Sequence, residues 1–149
     1  MTRPDYTRVA ADLTRGLMAF TRTLRDTGID DRTRELVNVR VSQMNRCAFC
    51  VDTHIRHAKG FGETDTRLHH LAVWRDSPLF DTREKAALLW AETLTDLPKD
   101  GVSDDIYDSV SASFDDLALC ELTFIVTTIN SWNRASVAFR LRPDRSNKD

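Results

Sequence analysis

Apolar residues recur at steps of three and four along most of this chain, and that spacing constrains the fold more than any other feature. Val9, Leu13, Leu17, Phe20 and Leu24 mark one face of a helix from Tyr6 to Asp26, which Gly28 stops. A second helix runs from about Asp31 to Met44 with Leu36, Val39 and Val41 inward, and a third from near Cys47 to Gly60. Gly62 and Glu63 introduce a fourth, with Leu68, Leu71 and Val73 ahead of Trp74, before Ser77-Pro78 breaks the chain. Asp81-Thr82-Arg83-Glu84 reads as a capping box, an acceptor at the N-cap and a carboxylate three residues on. The helix it opens carries Ala87, Leu88, Trp90, Ala91 and Leu94 and closes at Pro98 to Gly101. A short helix, Asp104 to Ser113, precedes the longest, Asp115 to about Leu141. That last helix is apolar at Leu117, Leu119, Leu122, Ile125, Val126 and Ile129, and the polar run Ser131 to Asn133 is where it would divide. Residues 142–149 read as a frayed tail. With only 5 Gly and 4 Pro, the pattern predicts an all-α protein of about seven helices, without linker or repeat.

Composition narrows the function. At 149 residues the chain has the usual size of one domain and can bury a full core. A hydrophobic fraction of 41% with 30% charged residues argues against disorder. A net charge of −2 gives no nucleic-acid footprint and no polybasic membrane anchor. No run approaches the ~18 apolar residues of a membrane span. Met1 to Arg8 is polar and leads into no apolar signal core, so the cytoplasm is the expected compartment.

The chemistry lies in Glu35 to His57. Three cysteines, Cys47, Cys50 and Cys120, are an odd set for a secreted disulfide framework, and two of them form a C-x-x-C. On a helix, Cys50 lies at about 300° and His54 at about 340° from Cys47, so all three share one face. Cys50 and His54 are an i, i+4 pair. The imidazole can accept the thiol proton, and the resulting imidazolium would stabilise a thiolate. Cys47 at the helix N-terminus would also find an anion-favouring environment. If the second and third helices form an antiparallel pair around Asn45-Arg46, Glu35 and His54 could meet, and the carboxylate would orient the ring and support it as a base.

Glu35, eleven residues, C-x-x-C, three residues and His54 together resemble the alkylhydroperoxidase D-like group of the carboxymuconolactone decarboxylase family. The run Asn45 to Cys50, Trp74 before Ser77-Pro78-Leu79-Phe80, the Glu84 to Leu94 helix and the Thr128 to Arg134 segment are similar too, over most of residues 5–141. The resemblance implies a single domain over 1–149, assembled as a homotrimer or hexamer. It implies reduction of hydroperoxides with Cys50 as the peroxidatic thiol, Cys47 as the resolving one, and Glu35 and His54 as proton relay. It implies no bound cofactor and a dithiol reductant protein, lipoyl-type or thioredoxin-like, as partner. Phe49 stands where the best-known peroxidases of this type have a histidine. The family's true decarboxylases lack the cysteine pair, so lactone decarboxylation fits poorly.

The same residues leave two other readings: a general dithiol–disulfide oxidoreductase, or a non-catalytic redox sensor whose disulfide changes oligomer contacts. A metal is not expected. Cys47, Cys50, His54 and His57 line about 15 Å of one helix and cannot all surround one ion, which would need ligands from elsewhere. His57 reads as exposed or interfacial, His69 and His70 as structural or solvated, and Cys120 as core. Trp74, Trp90 and Trp132 read as core or subunit interface first and pocket wall second.

Overall fold

The computed structural model describes residues 3–144, and all secondary structure among them is helical. The helices are α1 (Tyr6–Val9), α2 (Ala11–Thr23), α3 (Asp31–Met44), α4 (Ala48–Gly60), α5 (Asp65–His70), α6 (Thr82–Thr95), α7 (Asp104–Ser111) and α8 (Asp116–Ala138), with a 3-10 turn at Leu71–Val73. The all-α expectation holds, with eight helices among the described residues rather than about seven. The extra one arises because Ala10 (φ −113°, ψ 46°) leaves the helical region and separates α1 from α2. Of the tail expected over 142–149, residues 142–144 are non-helical and 145–149 lie outside the described residues.

Side chains close the helix starts. Asp30, Thr64, Ser103 and Asp115 each accept a backbone N–H of the first turn, at about 1 kcal/mol per cap. The capping box is present: Asp81 Oδ1 accepts from Glu84 N (2.8 Å) and Glu84 Oε2 from Asp81 N (2.9 Å). Where α4 ends, Gly62 (φ 85°) turns left-handed and Glu63 N donates back to Ala58 O at 2.9 Å, a Schellman ending.

α3 is the central element. One side of it, through Val37 and Val41, joins Ala87, Trp90, Ala91, Leu122, Ile125 and Val126 of α6 and α8. Its other side, through Leu36 and Val39, joins Ala58, Leu68, Leu71, Trp74, Phe80 and Leu88. Burial on both sides lets α3 hold polar groups in fixed positions, provided they are paired. Glu92 of α6 is one such anchor, bonded by Arg40 Nε of α3 (2.6 Å), Arg75 Nη2 (2.6 Å) and Trp74 Nε1 (2.8 Å).

Two sequence expectations need correction. α8 is not divided at Ser131 to Asn133. Ser131 Oγ bonds Thr127 O within the helix, and the buried Asn130 and Asn133 are satisfied by Thr95, Asn45 and Ser42. Cys120 is exposed, because the α8 register that buries Leu119 and Leu122 turns the next position outward. The apolar face of the first helix packs only toward its C-terminal end: Leu24 is buried in the core, whereas Val9 and Leu13 are 77% and 78% exposed, and Leu117 of α8 is 69% exposed. No helix among the described residues is long and apolar enough to cross a membrane.

Candidate active site

The α3–α4 hairpin builds the site. Asn45 caps α3, Arg46 is left-handed (φ 58°), and Cys47 N donates back to Ser42 O at 3.0 Å. This Schellman turn reverses the chain within three residues. Asn45 Nδ2 fastens it to α8 through Asn130 Oδ1 (2.8 Å) and Asn133 Oδ1 (2.9 Å). Cys47 is the N-cap of α4, and its Sγ accepts from Cys50 N at 3.3 Å. Cys47 and Cys50 are joined as a disulfide, and both are buried.

The reversal brings α3 alongside α4, and Glu35 meets His54 as the antiparallel pair predicts. His54 Nδ1 lies 2.7 Å from Glu35 Oε2. A neutral ring then keeps its proton on Nδ1, donating to the carboxylate, and its lone pair on Nε2. Three further groups face the carboxylate: Asn38 Nδ2 donates to Oε1 (3.4 Å), Arg34 Nε lies 3.5 Å from Oε1, and His57 Nδ1 lies 3.8 Å from Oε2. Burial raises the Glu35 carboxyl, but the His54 hydrogen bond and the charges of His54, His57 and Arg34 outweigh it and hold it below its ordinary 4.5. His57 is lowered from 6.5, chiefly by burial, against the raising effect of Glu35. Cys50 sits one turn before His54 on α4.

Two cavities flank the cluster. One of about 80 Å³ is lined by Glu35, Asn38, His54, His57, Thr21, Thr128 and Trp132. The other, about 550 Å³ and more open, is lined by Glu35, His57, Arg25, Arg34, Arg56 and Phe61. Trp74 and Trp90 are core as expected, whereas Trp132 is a wall of the smaller cavity, held by Thr21 Oγ1 (2.9 Å). His70 is structural, paired with Ser77 Oγ at 3.1 Å, and His69 is exposed. His57, half exposed, is drawn into the cluster beside Glu35. Sequence reasoning missed Asn38, Arg34 and Thr21. Asn38 was within reach, three residues from Glu35 on the same helical face; Thr21 carries no local signal, because only the α2–α8 packing brings it in.

The comparisons fit this arrangement. Residues 8–93 match the model of the carboxymuconolactone decarboxylase family. The uncharacterised protein YdfG of Bacillus subtilis (strain 168) is 38% identical over 136 residues, 91% of this chain and 92% of YdfG. The uncharacterised YnjA of Escherichia coli (strain K12) is 40% identical over 99 residues, 66% of this chain but 53% of YnjA. Among solved structures, ATU0492 of Agrobacterium tumefaciens, a protein of unknown function associated by name with the antioxidant defence protein AhpD, superposes with a TM-score of 0.91. It is 31% identical, over 97% of this chain and 100% of ATU0492. An uncharacterised peroxidase-related protein with an alkylhydroperoxidase AhpD core, from Ralstonia eutropha JMP134, shares the fold at TM-score 0.80 and 21% identity, over 91% and 73% of the two chains. Fold and site thus define an alkylhydroperoxidase D-like helical protein with a C-x-x-C pair. The chain belongs to the carboxymuconolactone decarboxylase family.

Proposed function

We propose that the protein is a thiol-dependent peroxidase in which Cys50 and Cys47 reduce hydroperoxides and Glu35 and His54 relay the protons. The observation that carries this reading is the 2.7 Å Glu35–His54 hydrogen bond one turn along the helix from Cys50. It leaves Nε2 as the ring atom able to take the Cys50 proton. The Cys50 thiolate attacks the terminal oxygen of ROOH; the O–O bond breaks, and His54 returns its proton to the departing alkoxide, giving ROH and a Cys50 sulfenic acid. The Cys47 thiol attacks that sulfur, forming the disulfide and releasing water. A dithiol protein partner, lipoyl-type or thioredoxin-like, restores both thiols by exchange and leaves oxidised. Its thiolate attacks Cys50, because the Cys47 sulfur at the N-terminus of α4, already accepting an N–H, is the better leaving group. Such a cycle needs no bound cofactor and suits a reducing compartment such as the cytoplasm. The AhpD association of ATU0492 supports the antioxidant reading. The exposed Val9, Leu13 and Leu117 support a homo-oligomer, trimer or hexamer, because separate helices present them without a partner.

Turnover tests the proposal. With excess dithiol reductant and a panel of alkyl and fatty-acid hydroperoxides, each chain consumes many equivalents of peroxide, and Cys50→Ser abolishes consumption. Consumption of a single equivalent would instead identify a redox sensor. Phe49, in place of the relay histidine, favours one second reading: a dithiol–disulfide oxidoreductase, marked by turnover on disulfides and none on peroxides.

A further inference from the structure

Glu35, His54 and His57 do more than the relay asks of them. His54 and His57 stand at i, i+3 on α4, and Glu35 faces them from α3. One ligand-type atom from each lies within 4.8 Å of the others. The sulfur-based set on α4 alone is too extended to hold an ion; this set draws its third ligand from the neighbouring helix. We propose that Glu35, His54 and His57 form a binding site for a divalent transition-metal ion of the Zn²⁺ class.

The geometry is close to what the ion needs. Ligand atoms around tetrahedral zinc, at bonds of about 2.0–2.2 Å, are roughly 3.3–3.5 Å apart. Glu35 Oε2 and His57 Nδ1 are 3.8 Å apart, and Glu35 Oε2 and His54 Nδ1 are 2.7 Å apart. The ion therefore enters by displacing the proton shared between Glu35 and His54, which opens that pair by roughly 0.6–0.8 Å. The two rings meet edge to face with centroids 5.6 Å apart, so they are not stacked face to face. Two imidazoles and a carboxylate suit Zn²⁺, Ni²⁺ or Fe²⁺ rather than Mg²⁺ or Ca²⁺. The other carboxylate oxygen, held by Asn38 and Arg34, fixes the Glu35 side chain from behind. The same residues line the flanking cavities, which leave room for water to complete the shell of a bound ion. Arg34 and the nearby Arg25 and Arg56 oppose a second positive charge, so the site is an exchangeable one rather than a structural zinc.

A consequence rests on the proposed peroxidase reading: a bound ion withdraws Glu35 and His54 from proton transfer, so Zn²⁺ inhibits turnover and a chelator restores it. The binding itself is independent of catalysis and is tested without it. Titration calorimetry of the disulfide form with ZnCl₂, which removes the Cys47 and Cys50 thiolates from contention, is expected to give one Zn²⁺ per chain. His57→Ala, at a half-exposed position that tolerates truncation, should weaken binding at least tenfold, with circular dichroism checking its fold. Cys120→Ser should leave binding unchanged. Co²⁺ should give the visible d–d absorption of nitrogen and oxygen ligation without a thiolate charge-transfer band. Absence of binding, equal affinity in His57→Ala, loss in Cys120→Ser, or a thiolate band would each overturn the site. A peroxidase that binds no zinc, or a zinc binder that reduces no peroxide, separates this inference from the proposed activity.

Discussion

Replacing Glu35 by Gln tests the site through its hydrogen-bond polarity. Both oxygens of Glu35 face donors, His54 and His57 at Oε2 and Asn38 and Arg34 at Oε1. Glutamine keeps one acceptor and adds an NH₂, so in either orientation a donor meets a donor. With the NH₂ toward His54, the ring must move its proton to Nε2, the atom proposed to accept the thiol proton. With the NH₂ toward Asn38 and Arg34, Asn38 can rotate its amide but the buried Arg34 Nε cannot accept. A buried donor left unpaired costs about 1–3 kcal/mol. At roughly 2–4 °C per kcal/mol for a domain of this size, the melting temperature falls by about 2–12 °C. Exchanging a charge-assisted bond of about 1.5–3 kcal/mol for a neutral one of about 0.5–1.5 kcal/mol removes roughly 1–1.5 kcal/mol. If that bond is expressed in thiol activation, the loss is about tenfold in rate. The assay is alkylation of reduced protein across pH, read at the Cys50 peptide by mass spectrometry, with thermal melts alongside. A Gln variant with wild-type rate, pH profile and melting point would refute the reasoning.

Arg46→Gly should stabilise the protein by about 0.5–1 kcal/mol in urea titration, because it removes a side chain from a left-handed turn position while keeping the Schellman bond. Acid should destabilise it. Burial raises Glu35, Glu63 and Glu92, but hydrogen bonds from His54, from Arg67, and from Trp74, Arg75 and Arg40 respectively hold all three below 4.5. Folded values below the unfolded one give stability that is complete above about pH 4.5 and lost as pH falls through the lower folded values; His57, likewise held below its ordinary 6.5, adds a smaller loss that begins as pH falls below about 6.5, so melting temperature should decline slightly from about pH 6.5 and drop steeply below about 4.5. Without reductant, thiol titration of the folded protein should count one group per chain, and peptide mapping should place it at Cys120.

The helices were legible in sequence because their starts and stops are local chemistry. The bounds of α3 and the Asp81–Glu84 box need no tertiary information. The Glu35–His54 contact was legible as well, because a two-helix hairpin with a short turn fixes which residues lie opposite. What was not legible depends on three-dimensional packing. An apolar stripe looks the same in sequence whether the protomer's own core or another surface covers it, so the spacing that marks Val9, Leu13 and Leu24 as one face does not tell that Leu24 is buried and the other two are exposed. Ser131 to Asn133 read as a break because the partners of Asn133, Ser42 and Asn45, lie about ninety residues earlier in the chain. His57 read as peripheral because its neighbour Glu35 belongs to another helix.

The central claim, that Cys50 is the thiol that meets peroxide, is tested most directly by trapping its first oxidation product. Cys47→Ser and Cys50→Ser variants, each carrying Cys120→Ser, are reduced, treated with one equivalent of hydroperoxide and labelled with a sulfenic-acid-specific reagent. Mass spectrometry is expected to find the label on Cys50 in the first variant and little on Cys47 in the second. Two arguments compete for this outcome: the N-terminus of α4 favours an anion at Cys47, whereas the Glu35-supported His54 offers Cys50 a proton acceptor. Label on Cys47 alone, with Cys50 left reduced, would reverse the two roles and contradict the account.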